Sequence, residues 1–154
     1  MQDNIFIQIF TNQPLVSAFL SWIIAQTIKL LTEIAKRKDK IDFRRFLSAG
    51  GFPSSHSAAV VALTASVGLN LGFDSGIFAI SMVFSGIVLF DAAVIRKAAG
   101  EQAEVLNKII EDLYKGIGIR KERLKEFLGH TSVEVFCGII LGLAVSIASF
   151  YWMP

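Results

Sequence analysis

The stretch GGFPSSHSAAVVALTASVGLNLG, residues 50–72, joins two kinds of chemistry that rarely share a segment. Its first eight residues hold two glycines, a proline, three serines and a histidine. The remainder is an apolar run with no charge. Such a run forms a helix at the length scale of a bilayer crossing, about 20 residues. A polar cluster at its mouth is costly unless it is used.

The rest of the 154-residue chain supports a membrane setting: 53% of residues are apolar and thirteen are Phe. Mean hydropathy is +0.58, high for a soluble domain. The apolar residues fall into four blocks, at about 15–35, 54–72, 75–95 and 131–152. The first is interrupted by Gln26, Lys29 and Glu33, and the last ends in aromatics suited to an interface. The predicted fold class is therefore all-α, a polytopic helical bundle of about four transmembrane helices in one integral membrane domain over residues 1–154. The N-terminal stretch MQDNIFIQIF has no basic region, so a cleaved signal peptide is not expected.

All fifteen Lys and Arg lie in two stretches, seven in residues 29–45 and eight in residues 96–125. The positive-inside rule puts both stretches in cytoplasmic loops, about 36–53 and 96–130, with both termini on the opposite side of the cell membrane. The second loop carries Ala99, Ala103, Leu106, Ile110, Leu113 and Ile117 at alternating steps of four and three. That spacing predicts an amphipathic cytoplasmic helix, packed on the bundle, lying at the interface or serving as a dimer seam. Net charge is only +2, and no nucleic-acid partner is expected. One cysteine, Cys137, permits no internal disulfide. One Cys and two His are too few for common zinc sites, so neither metal nor cofactor is expected.

The two histidines, His56 and His130, both fall at the cytoplasmic mouth of a span, as do Asp91 and Arg96 at the end of the third block. Pro53 suits the first turn of a helix, where its missing N–H costs nothing. The N–H groups near Ser54, Ser55 and His56 then lack intrahelical partners and attract phosphate. Gly50 and Gly51 allow close backbone approach. His130 and Glu134, four apart, would share a helix face, where the carboxylate can orient the imidazole. This is a kit for phosphoryl transfer through a histidine nucleophile. Each part also has a plainer role: helix capping, a turn, or an interfacial anchor.

FPSSH resembles the P-S-G-H motif of the type 2 phosphatidic acid phosphatase (PAP2) superfamily, which includes the vanadium haloperoxidases. HTSVEVFCGIILG resembles that superfamily's last motif, a His followed four residues later by Asp. Across residues 45–142 the chain is similar to the divergent branch of that superfamily. The resemblance implies a PAP2-like bundle and a metal-independent lipid phosphatase. His130 would be the nucleophile, Glu134 its orienting carboxylate and His56 the acid for the leaving alcohol. Ser54 and Ser55 would bind phosphate oxygens, supported by Gly51, Pro53 and Asp91.

The chain departs from the superfamily pattern at several positions. Ser55 replaces Gly, and Glu134 replaces Asp. Lys38 and Arg45 keep the first motif's spacing, with Phe46 in place of Pro. Leu124 stands where an Arg is expected, between Arg123 and Lys125. Arg96, Lys38, Arg45 and Lys125 are therefore the expected phosphate-binding cations. The expected substrate is a lipid phosphomonoester or diphosphate among membrane lipids. Gly138 and Gly142 offer a close-packing face for a homodimer or an intramolecular neighbour.

Two other functions compete. One is a non-catalytic membrane protein binding anionic headgroups or a partner. The other follows from Asp91 and Arg96, whose spacing resembles the start of the CDP-alcohol phosphotransferase motif. That motif's later Gly and paired Asp are missing here, and its chemistry requires metal.

Overall fold

The computed structural model describes residues 4–36, 51–113 and 130–153. The described residues are helical and contain no strand. Helix α1, Ile5–Thr11, is a short segment ahead of the first long helix. Asn12 separates the two: its side chain accepts the Leu15 N–H at 3.1 Å and its carbonyl accepts the Val16 N–H. Pro14, in the next turn, has no N–H to satisfy. These features start α2, Gln13–Lys36, in a new direction.

Helix α3 spans Ser55–Leu71. It ends at Gly72, whose φ of +90° is a conformation that side-chain-bearing residues rarely adopt. The turn is held by an edge-to-face pair, Phe73 and Phe78, with ring centroids 5.1 Å apart. Ser75 caps the next helix by accepting the Phe78 N–H at 3.2 Å. Helix α4, Gly76–Phe90, then runs without a break through a π-helical turn, Asp91–Ile95, into α5, Arg96–Leu113. Helix α6 is Ser132–Trp152.

α3 lies at the centre and packs against α6, α2 and α4, while α2 also packs against α6. Burial is inverted relative to a water-soluble protein. The largest fully buried side chains are serines: Ser17, Ser21, Ser54, Ser57, Ser66 and Ser146. Buried apolar residues are mostly Ala, whereas Ile80 is 73% exposed and Phe136 61%. Small residues inside and large apolar residues outside are what helices need when lipid is the solvent. Three helices are long and apolar enough to cross a membrane, and α3 is apolar but only 17 residues long. At 1.5 Å per residue α3 covers roughly 25 Å. Enclosure by its neighbours lets this shorter helix keep its hydroxyls away from lipid.

Two of those hydroxyls, on Thr64 and Ser66, are paired across helices. Ser17 of α2 meets Ser66 of α3 at 3.4 Å and also Ser149 of α6. Thr64 of α3 meets Ser85 of α4 at 2.6 Å, and Ser85 donates to the Val60 carbonyl at 2.9 Å. Such bonds hold helices together at about 0.6 kcal/mol each on average.

Candidate functional site

The beginning of α3 and the beginning of α6 are joined directly. The Ser54 N–H donates to the Glu134 carbonyl at 3.0 Å. Behind this bond the two helices touch backbone to backbone. A Cβ on Gly138 would lie 2.5 Å from the Ser54 carbonyl oxygen, and one on Gly142 would lie 2.5 Å from that of Ala58. The glycine face of α6 is thus filled by α3 of the same chain.

The geometry around Pro53 and Ser54 differs from the sequence expectation. Pro53 is not in the first helical turn. Ser54 is the N-cap, and Pro53 precedes it, joined to Phe52 by a cis peptide bond. Ser54 is fully buried, and its Oγ accepts from the Ser57 N–H at 3.4 Å and the Ser57 hydroxyl at 2.9 Å. With its N–H also bonded to Glu134, Ser54 helps to hold the loop. Ser55 is buried in the first turn of α3, and the next residue, His56, is exposed.

His130 also lies differently from the expectation. It does not share a helix face with Glu134, because Thr131 is the N-cap and His130 precedes it. The pair forms by another route. Thr131 and Glu134 make a reciprocal capping box: the Glu134 N–H donates to Thr131 Oγ1 at 3.3 Å, and the Thr131 N–H to Glu134 Oε2 at 2.9 Å. The same Oε2 lies 3.3 Å from His130 Nδ1. His130 is only 4% exposed. A capping requirement therefore turns the carboxylate back toward the imidazole. In the tautomer that donates Nδ1–H to the carboxylate, the ring's lone pair would sit on Nε2.

The π turn Asp91–Ile95 contacts α6, so the end of α4 arrives at this same end of the bundle. Arg96 starts α5, though its side chain lies outside the described residues. Lys38, Arg45, Arg123 and Lys125 also lie outside them.

One residue that the sequence presented only as an interruption reaches the site. Lys29 of α2 is buried, 8% exposed. A Cβ on Gly51 would lie 2.7 Å from Lys29 Cε and 3.2 Å from its Cδ. Gly51 also has φ +99°. The backbone at Gly51 thus takes a glycine conformation in contact with the lysine stem.

Comparison with known sequences agrees with this architecture. Residues 10–145 match the family described as the divergent PAP2 family. The chain is 39% identical over 156 residues to a Bacillus subtilis (strain 168) protein described as "Uncharacterized membrane protein YuiD", covering 94% of this chain and 98% of that one. No solved structure matches. The metal-dependent CDP-alcohol motif suggested by Asp91 and Arg96 finds no support in this match. The buried serines, the lipid-suited exterior and the full-length match agree: this is an integral membrane protein, and the chain belongs to the divergent PAP2 family.

Proposed function

We propose that the protein hydrolyses a lipid phosphomonoester or diphosphate through a phosphohistidine on His130. The observation that carries this is the carboxylate-bound His130, tied by the Ser54–Glu134 bond to the helix start that bears His56. His130 Nε2 attacks phosphorus, and the phosphorus–oxygen bond to the lipid alcohol breaks. His56 in its protonated form gives the alkoxide a proton. Water then attacks the phosphohistidine with His56 as base, releasing phosphate and regenerating His130. Glu134 orients the imidazole and stabilises its positive form. The positive N-terminal end of α3 holds phosphate oxygens, together with cations of the basic stretches. N–H dipoles and cations can carry the transition-state charge.

The test is phosphate release from a panel of lipid phosphates by purified protein in mixed micelles with a chelator present. Release that survives chelation and is blocked by vanadate is expected. His130→Ala should lose at least about 4 kcal/mol of barrier lowering, on the order of 10³-fold in rate. Turnover by that variant equal to the native chain would sink the proposal.

Non-catalytic binding of anionic headgroups is the second function to weigh. It is favoured by Ser54, whose N–H and Oγ are spent inside the fold, and by the burial of His130. Phosphate binding without release from any substrate would decide for it.

A further inference from the structure

We propose that Lys29, inside the transmembrane helix α2, is a phosphate-binding cation of this site. The proposal rests on the site described above holding a phosphate group, whether or not it turns over. The buried face of α2 comprises Gln13, Ser17, Ser21, Ala25, Gln26 and Lys29. This is the face turned toward α3 and α6, since α2 packs on both. Lys29 continues the stripe at the step of four that links Ser17, Ser21 and Ala25, so its side chain starts out facing protein.

A lysine near a helix end ordinarily snorkels to water or headgroups. Lys29 does not. It lies seven residues before Lys36, the last residue of α2, which places it roughly 10 Å down the helix. It is 8% exposed. Its stem runs to Gly51, with Cε the nearest of its atoms to the position of a Gly51 Cβ. The ammonium is one bond further on. Three residues after Gly51 comes Ser54, bonded to Glu134, whose carboxylate meets His130. The cation is therefore delivered to the loop that opens the phosphate-ready end of α3.

A second observation points the same way. Gln26, about one helical turn earlier on the buried face, is 5% exposed, and its Oε1 has no hydrogen-bond partner among the described residues, as is also true of Ser21 Oγ and the Gln13 amide further along that face. A buried unpaired amide oxygen is costly unless a ligand group or water completes it. Unmet polar capacity one turn from Lys29 leaves room there for a polar guest. A phosphate monoester fits: its oxygens accept from the ammonium, and a protonated oxygen or a bridging water can satisfy the amide.

The test is binding to the detergent-solubilised full chain, read by thermal shift and calorimetry. Orthovanadate and inorganic phosphate report the bare anion, and dioctanoyl phosphatidate reports a lipid headgroup. Lys29→Met keeps the stem and removes the charge. It should weaken binding of each probe that the native chain binds by at least about tenfold. Lys29→Arg should keep part of the binding. Lys29→Gln is read instead if Lys29→Met does not stay monodisperse. Native affinity in the neutral variant overturns the proposal, and so does absence of binding of every probe to the native chain. Native binding lost in Lys29→Met, in a chain that releases no phosphate, keeps this proposal and ends the phosphatase one. Turnover with unchanged binding in Lys29→Met does the reverse.

Discussion

Glu134 joins three contacts in one residue: its carbonyl holds Ser54, and its carboxylate caps Thr131 and meets His130. Glu134→Gln separates these tasks, because an amide oxygen still accepts the Thr131 N–H but carries no charge. Thermal stability should change by less than about 1 kcal/mol, within the range of a helix cap. Turnover should fall at least about tenfold, about 1.4 kcal/mol of barrier. Equal turnover in the two proteins would restrict Glu134 to capping. His56→Ala should slow cleavage of an alkyl phosphate more than cleavage of an aryl phosphate with a good leaving group, since the latter needs less protonation. Equal losses on both would remove His56 from the acid role. The pairing of His130 with Glu134 was legible from spacing, but through a geometry the protein does not use. The run Thr131-Ser132-Val133-Glu134 is a capping-box pattern, and it would have placed the helix start after His130. The position of Lys29 was not legible in this way. A lysine amid apolar residues marks either a span's end or an inward charge, and only the packing of Gly51 against its stem decides.

At the scale of elements, the site depends on how closely α3 and α6 approach. Gly138 and Gly142 put α6 against the backbone of α3 at Ser54 and Ala58. Gly138→Val would force branched carbon into Ser54 and Ser57. Overpacking of this kind costs typically about 1–3 kcal/mol. It should also part the Ser54–Glu134 bond and with it the relation of His56 to His130. Expected outcomes are a lower unfolding temperature and loss of phosphate release. The same change at Gly86, where a Cβ meets nothing within 4 Å, should leave both nearly unchanged. Equal effects at the two positions would deny the close contact its role. Because α3 occupies this glycine face, a homodimer would have to use another surface. The apolar blocks foretold the helices because each carries enough apolar length to leave few alternatives in lipid, even the first, with Gln26, Lys29 and Glu33 in it, and the second, whose helix α3 has only 17 residues. The junction of α4 and α5 was hidden for a related reason. Asp91 and Arg96 mark the end of apolar sequence, but charge ends a membrane span without ending a helix. The chain stays helical through a π turn, which polarity alone cannot signal. The amphipathic stripe then continues on α5 with Leu106 and Leu113 exposed, while Ile117 lies outside the described residues.

For the whole molecule, the decisive question is which side of the membrane the site faces. α4, the π turn and α5 form one run from Gly76 to Leu113, far longer than the roughly 20 residues that span a bilayer. Its composition changes at the π turn, and we propose that the membrane boundary lies there. Beyond it α5 carries surface charge, such as the Lys108–Glu104 pair at 2.8 Å, whose hydrogen bond holds the exposed Glu104 carboxyl below its usual range. The end of α2, the starts of α3 and α6 and the π turn share this end of the bundle through Lys29–Gly51, Ser54–Glu134 and the contact of the π turn with α6. The fifteen cations lie in the two stretches that flank these ends. By the positive-inside rule we propose that this end, and the histidines with it, faces the cytoplasm. Asp74 is exposed in the turn between α3 and α4, and in this orientation it would face the other side. Single cysteines in a Cys137→Ser background test this in intact cells with an impermeant thiol reagent. Cysteines at Lys40 and Lys115 should be labelled only after the membrane is opened, and a cysteine at Asp74 should be labelled at once. The reverse pattern would turn the bundle over and place the phosphate site on the outer leaflet, where only outward-facing lipid phosphates could reach His130. Labelling of all three in intact cells would contradict a bundle in which the α3–α4 turn and the basic stretches lie at opposite ends.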